Sequence, residues 1–432
     1  MAVAARQPMR RALASTDVRW ALGLGFLALV LRLAFVLAFG RTQTFNAGPG
    51  FGFSDTFFYS WVGAALSQGH GFTFLGRPSA HWPPGYPVLL AGVYKVFGAD
   101  TRNALVANAV LGALTVPLVY LIGLRTFGRP AAVVAAAALA LLPGQILIGD
   151  VALAETFYVF ELVAFVALAI VLSRRPRSLV VLGVVAGLAA LTRGEGLLFP
   201  LIVLGMWWAA RGRRVALRDT AAVVAVMVLT IAPWTIRNAI VMHGFVPVAT
   251  NASATLWSGH NDRADGGPVY QSPAELAAQA HLSEVDASTK VRNEAIDWAV
   301  SHPLRELELI PLKLNALARG DSEVVSTWID ASGQRPLGAR LAALASGLAD
   351  LGSYALIGAL LASLVLFGRS LWRVPAMRGV LLFLAAAVPL YGFVYYGNVR
   401  YRIPLEPLML LVVAPAAAWA WERRGSMRAE GV

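Results

Sequence analysis

The sequence contains no cysteine and only a small share of charged residues. Without cysteine the chain has no disulfide framework, no thiol nucleophile and no thiolate metal site. Charged residues make up 14% of the 432 residues, whereas a soluble domain has about 25%. Hydrophobic residues make up 58%, and the mean hydropathy is +0.64. This composition excludes an ordinary water-soluble domain and indicates a protein built for a lipid bilayer.

Long apolar runs recur along the chain. A helix of about 20 apolar residues crosses the roughly 30 Å of hydrocarbon in a bilayer. We therefore predict an all-α polytopic membrane protein with amphipathic helices on its outer face and about ten transmembrane helices. The predicted spans are residues 20–39, 103–124, 131–148, 152–172, 178–192, 196–210, 220–240, 341–367, 379–396 and 404–421.

The basic residues indicate which side each connection faces. The net charge is +12, and about half of the 36 lysine and arginine residues fall in six short segments that lie on one side of the predicted spans. Short cytoplasmic segments carry an excess of lysine and arginine, so both termini are predicted to be cytoplasmic. The charge is thereby explained without nucleic acid as a partner. The six segments are residues 1–19, 125–130, 173–177, 211–219, 368–378 and 422–432.

Two long segments are predicted to lie outside: the first outer segment (residues 40–102) and the second outer segment (residues 241–340). They hold all six histidines, so the chemistry is expected on the outer face. The first should form two short helices joined by a glycine-rich bend, and the second two or three amphipathic helices. The predicted organisation is a catalytic membrane module (1–240), an outer cap (241–340), and C-terminal helices with a cytoplasmic tail (341–432).

One carboxylate stands among aromatic residues in the first outer segment. In FSDTFFYSW, residues 53–61, Asp55 lies one helical turn before Tyr59, so the two share a face. A carboxylate in apolar surroundings is costly and is a candidate functional group. The alternative is a helix N-cap formed with Ser54, since aspartate is a frequent N-cap residue.

Several short motifs occur in a recognisable order. Asp55 and Tyr59 are followed by HWPPGYPVLLAG from His81, then by LTRGEGLLFPL, PWTIRN and YRIPLEP. This set resembles the GT-C superfamily of membrane glycosyltransferases that use polyprenyl-phosphate sugars. The branch is that of dolichyl-phosphate-mannose-protein mannosyltransferases and lipid A aminoarabinose transferase.

The resemblance implies an inverting transfer of a sugar from a polyprenyl-phosphate carrier to an acceptor hydroxyl, with Asp55 as the base. A hydroxyl group needs such a positioned base to become a nucleophile. The implied partners are the lipid-linked donor, membrane lipid, and a glycan, glycolipid or protein acceptor. The implied location is the inner (cytoplasmic) membrane of a cell, with the active site on the outer, periplasmic face.

A lipid phosphate as leaving group calls for arginine, whose donor fork matches phosphate oxygens. Four arginines are predicted donor-phosphate ligands. Arg193 and Glu195 lie in a turn between two apolar runs too short to span fully, so the turn should sit below the outer bilayer surface, inside the protein or in a water-filled cavity. An alternative there is an Arg193–Glu195 pair that satisfies itself, and snorkelling is the alternative for Arg237 and Arg402. The four ligands are Arg237, Arg402, Arg193 and Arg400.

Further side chains are predicted to contact substrate. In the aminoarabinose branch a Glu-Lys pair precedes the two prolines, where this chain has His81 and Trp82, which leaves the phosphate to the arginines. No cofactor is expected, and no metal, because a His-Asn-Asp loop such as 260–262 is also ordinary turn chemistry. The predicted substrate-binding residues are Tyr59, His81, Trp82, Tyr86, Glu155, Glu195 and Asn238.

Two other functions fit many spans and arginines at helix ends. A transporter or lipid flippase would show internal repeats and charges near the midplane of several spans. This chain shows no repeat, and only Arg32 and Glu161 lie that deep. An O-antigen ligase-like transferase would use a lipid diphosphate donor, and Asp55 in the first outer segment favours the monophosphate-sugar branch.

Overall fold

The computed structural model describes residues 14–39, 55–172, 178–326 and 338–430. The described chain is helical apart from one two-stranded hairpin. Its α-helices are α1 (Ser15–Phe39), α2 (Asp55–Ser67), α3 (Gly85–Phe97), α4 (Thr101–Thr126), α5 (Arg129–Leu141), α6 (Pro143–Gly149), α7 (Glu155–Leu172), α8 (Ser178–Thr192), α9 (Phe199–Arg211), α10 (Arg213–Val241), α11 (Asn251–Gly259), α12 (Pro273–Gln279), α13 (Glu284–Ser301), α14 (Pro303–Leu317), α15 (Ala339–Arg373), α16 (Pro375–Pro389), α17 (Val399–Arg402) and α18 (Glu406–Glu430).

The predicted class of an all-α polytopic membrane protein is confirmed. Within the described ranges, seven helices are long and apolar enough to cross a membrane, and an eighth span is possible if α5 and α6, bent by 50° against each other, count as one. The two remaining predicted spans, 178–192 and 196–210, coincide with the short helices α8 and α9. The total of ten spans stays a prediction.

The two outer segments differ in detail from their prediction. The bend between α2 and α3 contains an antiparallel hairpin, β1 (Thr73–Phe74) and β2 (Arg77–Pro78). The second outer segment contains four described helices, α11 to α14, instead of two or three. Local sequence features define where two of these helices begin. The Ser283 side chain caps α13 by accepting from the amide of Asp286, and Pro303 is the first residue of α14.

The helix pairs that carry the site pack over two apolar cores. A large core runs through the bundle, where α4 packs against α1, α5 and α7, and α8 packs against α10. A smaller core lies under the first outer segment, where α2 packs against α3 through side chains such as Phe58, Val62 and Leu90. The first residue of α2, Asp55, is thereby fixed next to the bundle.

Arg32 explains how the bundle tolerates the bend between α5 and α6. Pro143 has no N–H, so the carbonyl of Leu139 lacks its usual helical donor four residues on. The guanidinium of Arg32, only 3% exposed, donates to the carbonyls of Leu139 and Ala140, each at 3.4 Å. In a bilayer every backbone polar group needs a partner inside the protein. A buried arginine from α1 therefore replaces the hydrogen bonds lost at the proline.

Replacing Arg32 with methionine should lower the free energy of unfolding by about 1–3 kcal/mol, because two buried carbonyls lose their donors. Thermal unfolding in detergent measures the loss, and Arg19→Met, on the exposed side of the same helix, is the matched control. In a Pro143→Ala background, which supplies an N–H four residues after Leu139, the loss should be smaller. An equal loss in both backgrounds would contradict this role of Arg32.

Candidate active site

Five charged side chains from four distant parts of the chain form one connected group. Arg400 Nη2 donates to Asp55 Oδ2 at 2.8 Å and to Glu155 Oε1 at 2.7 Å. Arg193 Nη1 lies 3.0 Å from the same Glu155 oxygen, and Arg193 Nη2 donates to Glu195 Oε1 at 3.0 Å. We call these residues the charge cluster: Asp55, Glu155, Arg193, Glu195 and Arg400.

Each member of the charge cluster stands at or beside a helix end. Asp55 and Glu155 are the first residues of α2 and α7, where a carboxylate is favoured by the helix dipole. Arg193 and Glu195 lie in the turn between α8 and α9. Arg400 lies in the single turn α17. Asn398 is the N-cap of this turn, and its side chain accepts a hydrogen bond from the Arg400 amide. Helix ends concentrate here because the chain turns back at this level.

Exposure changes across the charge cluster. The side chain of Glu155 is 1% exposed, those of Arg193 and Glu195 are 12% exposed, and those of Asp55 and Arg400 are 23% and 27% exposed. A ligand arriving from outside the bundle therefore meets Asp55 and Arg400 first. Glu155 acts as the buried anchor to which both arginines are tied.

Aromatic rings enclose the inner half of the charge cluster. The hydroxyl of Tyr391 donates to Glu195 Oε1 at 2.9 Å, and its ring stacks on Tyr401 with centroids 4.7 Å apart. The Arg193 guanidinium lies 5.8 Å from the Tyr401 ring and 6.0 Å from the Tyr158 ring. Aromatic surroundings exclude water and strengthen the ion pairs.

Some polar atoms of this group lack a partner. Among the described residues, Glu155 Oε2, Arg193 Nε and the Tyr158 hydroxyl are buried and make no hydrogen bond. Buried polar groups are normally paired, so such atoms point to a bound ligand or water at the site. The alternative of an Arg193–Glu195 pair is present, and Arg193 also reaches Glu155. Donor-phosphate binding by Arg193 stays a prediction.

The structure does not bring Arg237 and Arg402 into the charge cluster. Arg237 donates to the backbone carbonyls of Ser79 and Phe72, at 2.9 and 3.0 Å, and so holds the hairpin loop. Arg402 is 4% exposed and bonds to Asp321 and to the Leu317 and Arg319 carbonyls. Two residues apart on a helix are rotated by about 200°, so Arg400 and Arg402 point to opposite sides. The role of Arg237 and Arg402 as phosphate ligands is not supported by this placement and stays an untested prediction.

The predicted aromatic contacts divide into buried and accessible side chains. Tyr59 and Tyr86 are 5% and 0% exposed and pack edge to face, with centroids 5.2 Å apart. Burial raises the pKa of both phenols, which therefore stay neutral. Trp82 is half-buried with its ring 5.9 Å from Tyr59, and His81 is exposed. Trp82 and His81 can meet a ligand, whereas Tyr86 forms part of the wall behind Tyr59.

Two predicted polar residues have structural partners. The Tyr86 hydroxyl donates to Asn108 Oδ1 at 3.2 Å. The Asn238 side chain is fully buried and donates to the carbonyl of Val246 at 3.0 Å. Both side chains hold the loops around the site through these bonds, and their role as substrate contacts stays a prediction.

The histidine and aspartate residues of the 260–265 loop point to different partners. Asp262 accepts from the indole N–H of Trp298 at 2.6 Å, and Asp265 accepts from the amide of Gly267 at 2.9 Å. His260 pairs with Glu306 at 2.7 Å. In the described ranges, no group of three or more His, Asp or Glu side chains is placed to hold a metal ion.

The comparisons with known proteins agree with the architecture. Residues 81–236 match the family of dolichyl-phosphate-mannose-protein mannosyltransferases. The fold is similar to the oligosaccharyltransferase AglB of Archaeoglobus fulgidus in complex with an inhibitory peptide and a dolichol-phosphate, with a TM-score of 0.56 and 16% identity. That match covers 96% of this chain and 51% of the archaeal chain. The predicted resemblance to the GT-C membrane glycosyltransferases is confirmed.

Two further solved structures are also similar to this chain. The Archaeoglobus fulgidus oligosaccharyltransferase tethered to an acceptor peptide has a TM-score of 0.55 and 16% identity over 95% of this chain and 51% of its own. ArnT from Cupriavidus metallidurans bound to undecaprenyl phosphate has a TM-score of 0.45 and 17% identity. The match covers 94% of this chain and 77% of the ArnT chain. The chain spans about half the length of the archaeal enzyme. No curated protein sequence matches it.

The Pro-Pro-Gly run within the GT-C-like part of the chain sets the distance between α3 and the Arg193 turn. Gly85 begins α3 directly against the end of α8. A Cβ at Gly85 would lie 2.3 Å from Thr192 Oγ1 and 2.8 Å from Thr192 Cα. Only glycine fits this approach, since the backbone of Thr192 cannot move without moving Arg193. The sequence alone did not predict this contact.

Gly85→Ala should therefore lower the free energy of unfolding by about 1–3 kcal/mol through overpacking. Gly92→Ala, in the same helix and with open space around its Cβ, is the matched control and should be neutral or stabilising by about 0.5–1 kcal/mol. Thermal unfolding of both variants in one detergent makes the comparison. Equal stability of the two would show that α3 does not press on the Arg193 turn.

Proposed function

We propose that the protein is an inverting glycosyltransferase of the cytoplasmic membrane. It moves a sugar from a polyprenyl-phosphate carrier to the hydroxyl of a glycan, glycolipid or protein acceptor on the outer face. The observation that carries the proposal is the charge cluster, in which a partly exposed carboxylate stands directly beside a partly exposed arginine. A base and an anion-binding group at contact distance are what transfer from a phosphate carrier requires.

Arg400 supplies the donor-phosphate contact in this proposal. Its Nε and Nη2 are used by Glu155 and Asp55, while Nη1 makes no hydrogen bond to the described residues. Its 27% exposure leaves that side open. Arg193 contacts the same Glu155 oxygen from the more buried side and adds positive charge behind Arg400. The pair replaces Arg237 and Arg402 as the proposed phosphate ligands.

The charge balance indicates how the donor is accommodated. The charge cluster holds three carboxylates and two arginines, so an anionic donor that binds at Arg400 Nη1 adds further negative charge and favours the release of one carboxylate from Arg400. Asp55 is the most exposed of the three carboxylates and the easiest to displace. When the phosphate takes the Arg400 contact, Asp55 turns to the acceptor hydroxyl. Donor binding thereby frees the base.

The reaction then balances in one displacement. Asp55 takes the proton of the acceptor hydroxyl while the acceptor oxygen forms a bond to the anomeric carbon of the sugar. The bond from that carbon to the phosphate oxygen breaks, and the electron pair leaves with the polyprenyl phosphate. Attack opposite to the leaving group inverts the configuration. We propose that no metal or other cofactor takes part, because Arg400 and Arg193 provide the positive charge that the leaving phosphate needs.

Asp55→Asn should reduce transfer by about 10²–10⁴-fold, near the upper end, because the amide cannot take the proton. The asparagine oxygen can still accept from Arg400, so the variant should fold and bind the lipid donor. Transfer is measured in detergent with a panel of polyprenyl-phosphate sugars. Asp100→Asn is the matched control, because Asp100 caps α4 through the amide of Arg102 and asparagine is also a good cap. If both variants transfer at the wild-type rate, Asp55 is only a helix cap.

Arg400→Lys should lower kcat/KM for the donor on the order of 100-fold, because lysine keeps the charge but loses the donor fork. Arg237→Lys is the comparison variant. Its arginine bonds two backbone carbonyls, and its kcat/KM should change little. Initial rates at varied donor concentration separate the two. A larger loss in Arg237→Lys than in Arg400→Lys would place the phosphate beside the hairpin loop and contradict the proposed contact.

A further inference from the structure

A short irregular segment carries Tyr391 and Arg400, the two residues by which the last two spans contact the charge cluster. After α16 the chain makes a π-helical turn over Leu390–Val394 and reaches α17 at Val399. We call residues 390–400 the connecting segment. Tyr391, at its start, donates to Glu195, and Arg400, at its end, contacts Asp55 and Glu155. π-Helical turns are rare and frequently lie at functional sites. The position of this segment therefore sets the position of both side chains.

The second outer segment holds the middle of the connecting segment through a histidine. His260 is 5% exposed, with Nε2 2.9 Å from the carbonyl oxygen of Val394 and Nδ1 2.7 Å from Glu306 Oε1. Lys313 Nζ lies 3.7 Å from Glu306 Oε2. We call His260, Glu306 and Lys313 the clamp. Its residues come from the end of α11 and from α14, so it joins two elements of the second outer segment to the connecting segment.

The hydrogen-bond pattern fixes where the protons of the clamp lie. A carbonyl oxygen only accepts, so His260 Nε2 carries a hydrogen and donates to Val394. The 2.7 Å approach of Nδ1 to a carboxylate oxygen also requires a proton between them. Glu306 therefore orients the imidazole ring while the other ring nitrogen holds the connecting segment.

Two residues of the clamp, His260 and Lys313, are buried in the protein. Lys313 is 1% exposed, and its ammonium makes no hydrogen bond to the described residues, although it lies near Glu306. A buried ammonium is costly unless an opposite charge lies near it, and Glu306 provides that charge. The backbone of Lys313 touches the connecting segment as well, because a Cβ at Gly397 would lie 1.8 Å from the Lys313 carbonyl oxygen. The Gly397 amide also donates to the Gly266 carbonyl at 2.8 Å.

We propose that His260 is a positioning residue for sugar transfer, with Glu306 orienting its ring. The hydrogen bond from His260 to Val394 holds the connecting segment so that Tyr391 stays on Glu195 and Arg400 stays between Asp55 and Glu155. The proposal rests on the proposed function for its effect on the reaction, while the holding of the segment is testable without it. Among the described residues, none of the three clamp residues makes a hydrogen bond or an ion pair with the charge cluster, so they act on it through the connecting segment.

The first test measures amide hydrogen exchange in the full-length protein in detergent. In His260→Ala the amides of Tyr395 and Gly397, which are bonded to Leu390 and Gly266, should exchange faster than in the wild type. His302→Ala is the matched control, because His302 is an exposed histidine of the same outer segment that stacks on Trp298. It should leave the connecting segment unchanged. Unchanged exchange in His260→Ala overturns the proposal, whether or not transfer activity is found.

The second test uses turnover of folded protein, well below the unfolding temperature. His260→Ala should lower kcat about 10- to 100-fold, the cost of misplacing catalytic groups by about 1 Å. In the double variant E306Q/K313M the amide of the glutamine can donate to a neutral His260 Nδ1, while Nε2 still donates to Val394. This variant has no buried ion pair but keeps the hydrogen bond from His260 to Val394, and its kcat should be close to that of the wild type.

The outcomes separate this proposal from the proposed function. If the wild type transfers no sugar from any carrier, the proposed function fails, and amide exchange alone decides whether the clamp holds the segment. If exchange rises in His260→Ala but kcat does not fall, the clamp does not position the site, and the proposal is overturned. A loss of kcat in E306Q/K313M as large as in His260→Ala also overturns it, because the hydrogen bond would then not be what matters.

Discussion

Glu155 is a carboxylate buried at the start of a membrane-spanning helix, and the site depends on how that charge is neutralised. An unpaired charge at such a place would cost several kcal/mol. Two guanidinium groups meet the same Glu155 oxygen, one from residue 193 and one from residue 400. To bring them there, α8 and α9 must be short enough to place their turn inside the protein, and the chain must turn back at α17. The short helices α8 and α9 and the turn at α17 thus allow both arginines to reach one buried charge.

The same rule produces a second buried group close by. Arg402 donates to Asp321 and lies 3.6 Å from Glu406, which also accepts from Gln145 at 2.9 Å. Burial raises the pKa of Asp321 to about 6, although Arg402 acts in the opposite direction. This group ties the loop after α14 to the start of α18. Arg400 and Arg402 thus serve two separate groups from one helical turn, which holds the turn from both sides.

The sequence was sufficient for the class of protein and for part of the site. Apolar length predicted the bundle, and the short runs on either side of Arg193 predicted a turn inside it. Asp55 and Glu155 stood out as carboxylates in apolar stretches. The partners of Arg402 could not be predicted from the sequence. The direction of its side chain depends on whether residues 399–402 form a helix or an extended turn. Tyr391 was missed because a tyrosine in an aromatic run carries no signal for a partner 196 residues away.

In the proposed reaction, the gradient of exposure across the charge cluster gives different tasks to chemically equal groups. A carboxylate that serves as an anchor must keep its arginines in every state of the reaction, which requires burial. A carboxylate that serves as a base must exchange its arginine for a substrate proton, which requires contact with the substrate. Glu155 at 1% and Asp55 at 23% exposure meet these opposite conditions. Arg400 bonds to both, so displacement from Asp55 leaves it attached to Glu155. In the proposed reaction the arginine therefore keeps its position while its outer partner changes from carboxylate to phosphate.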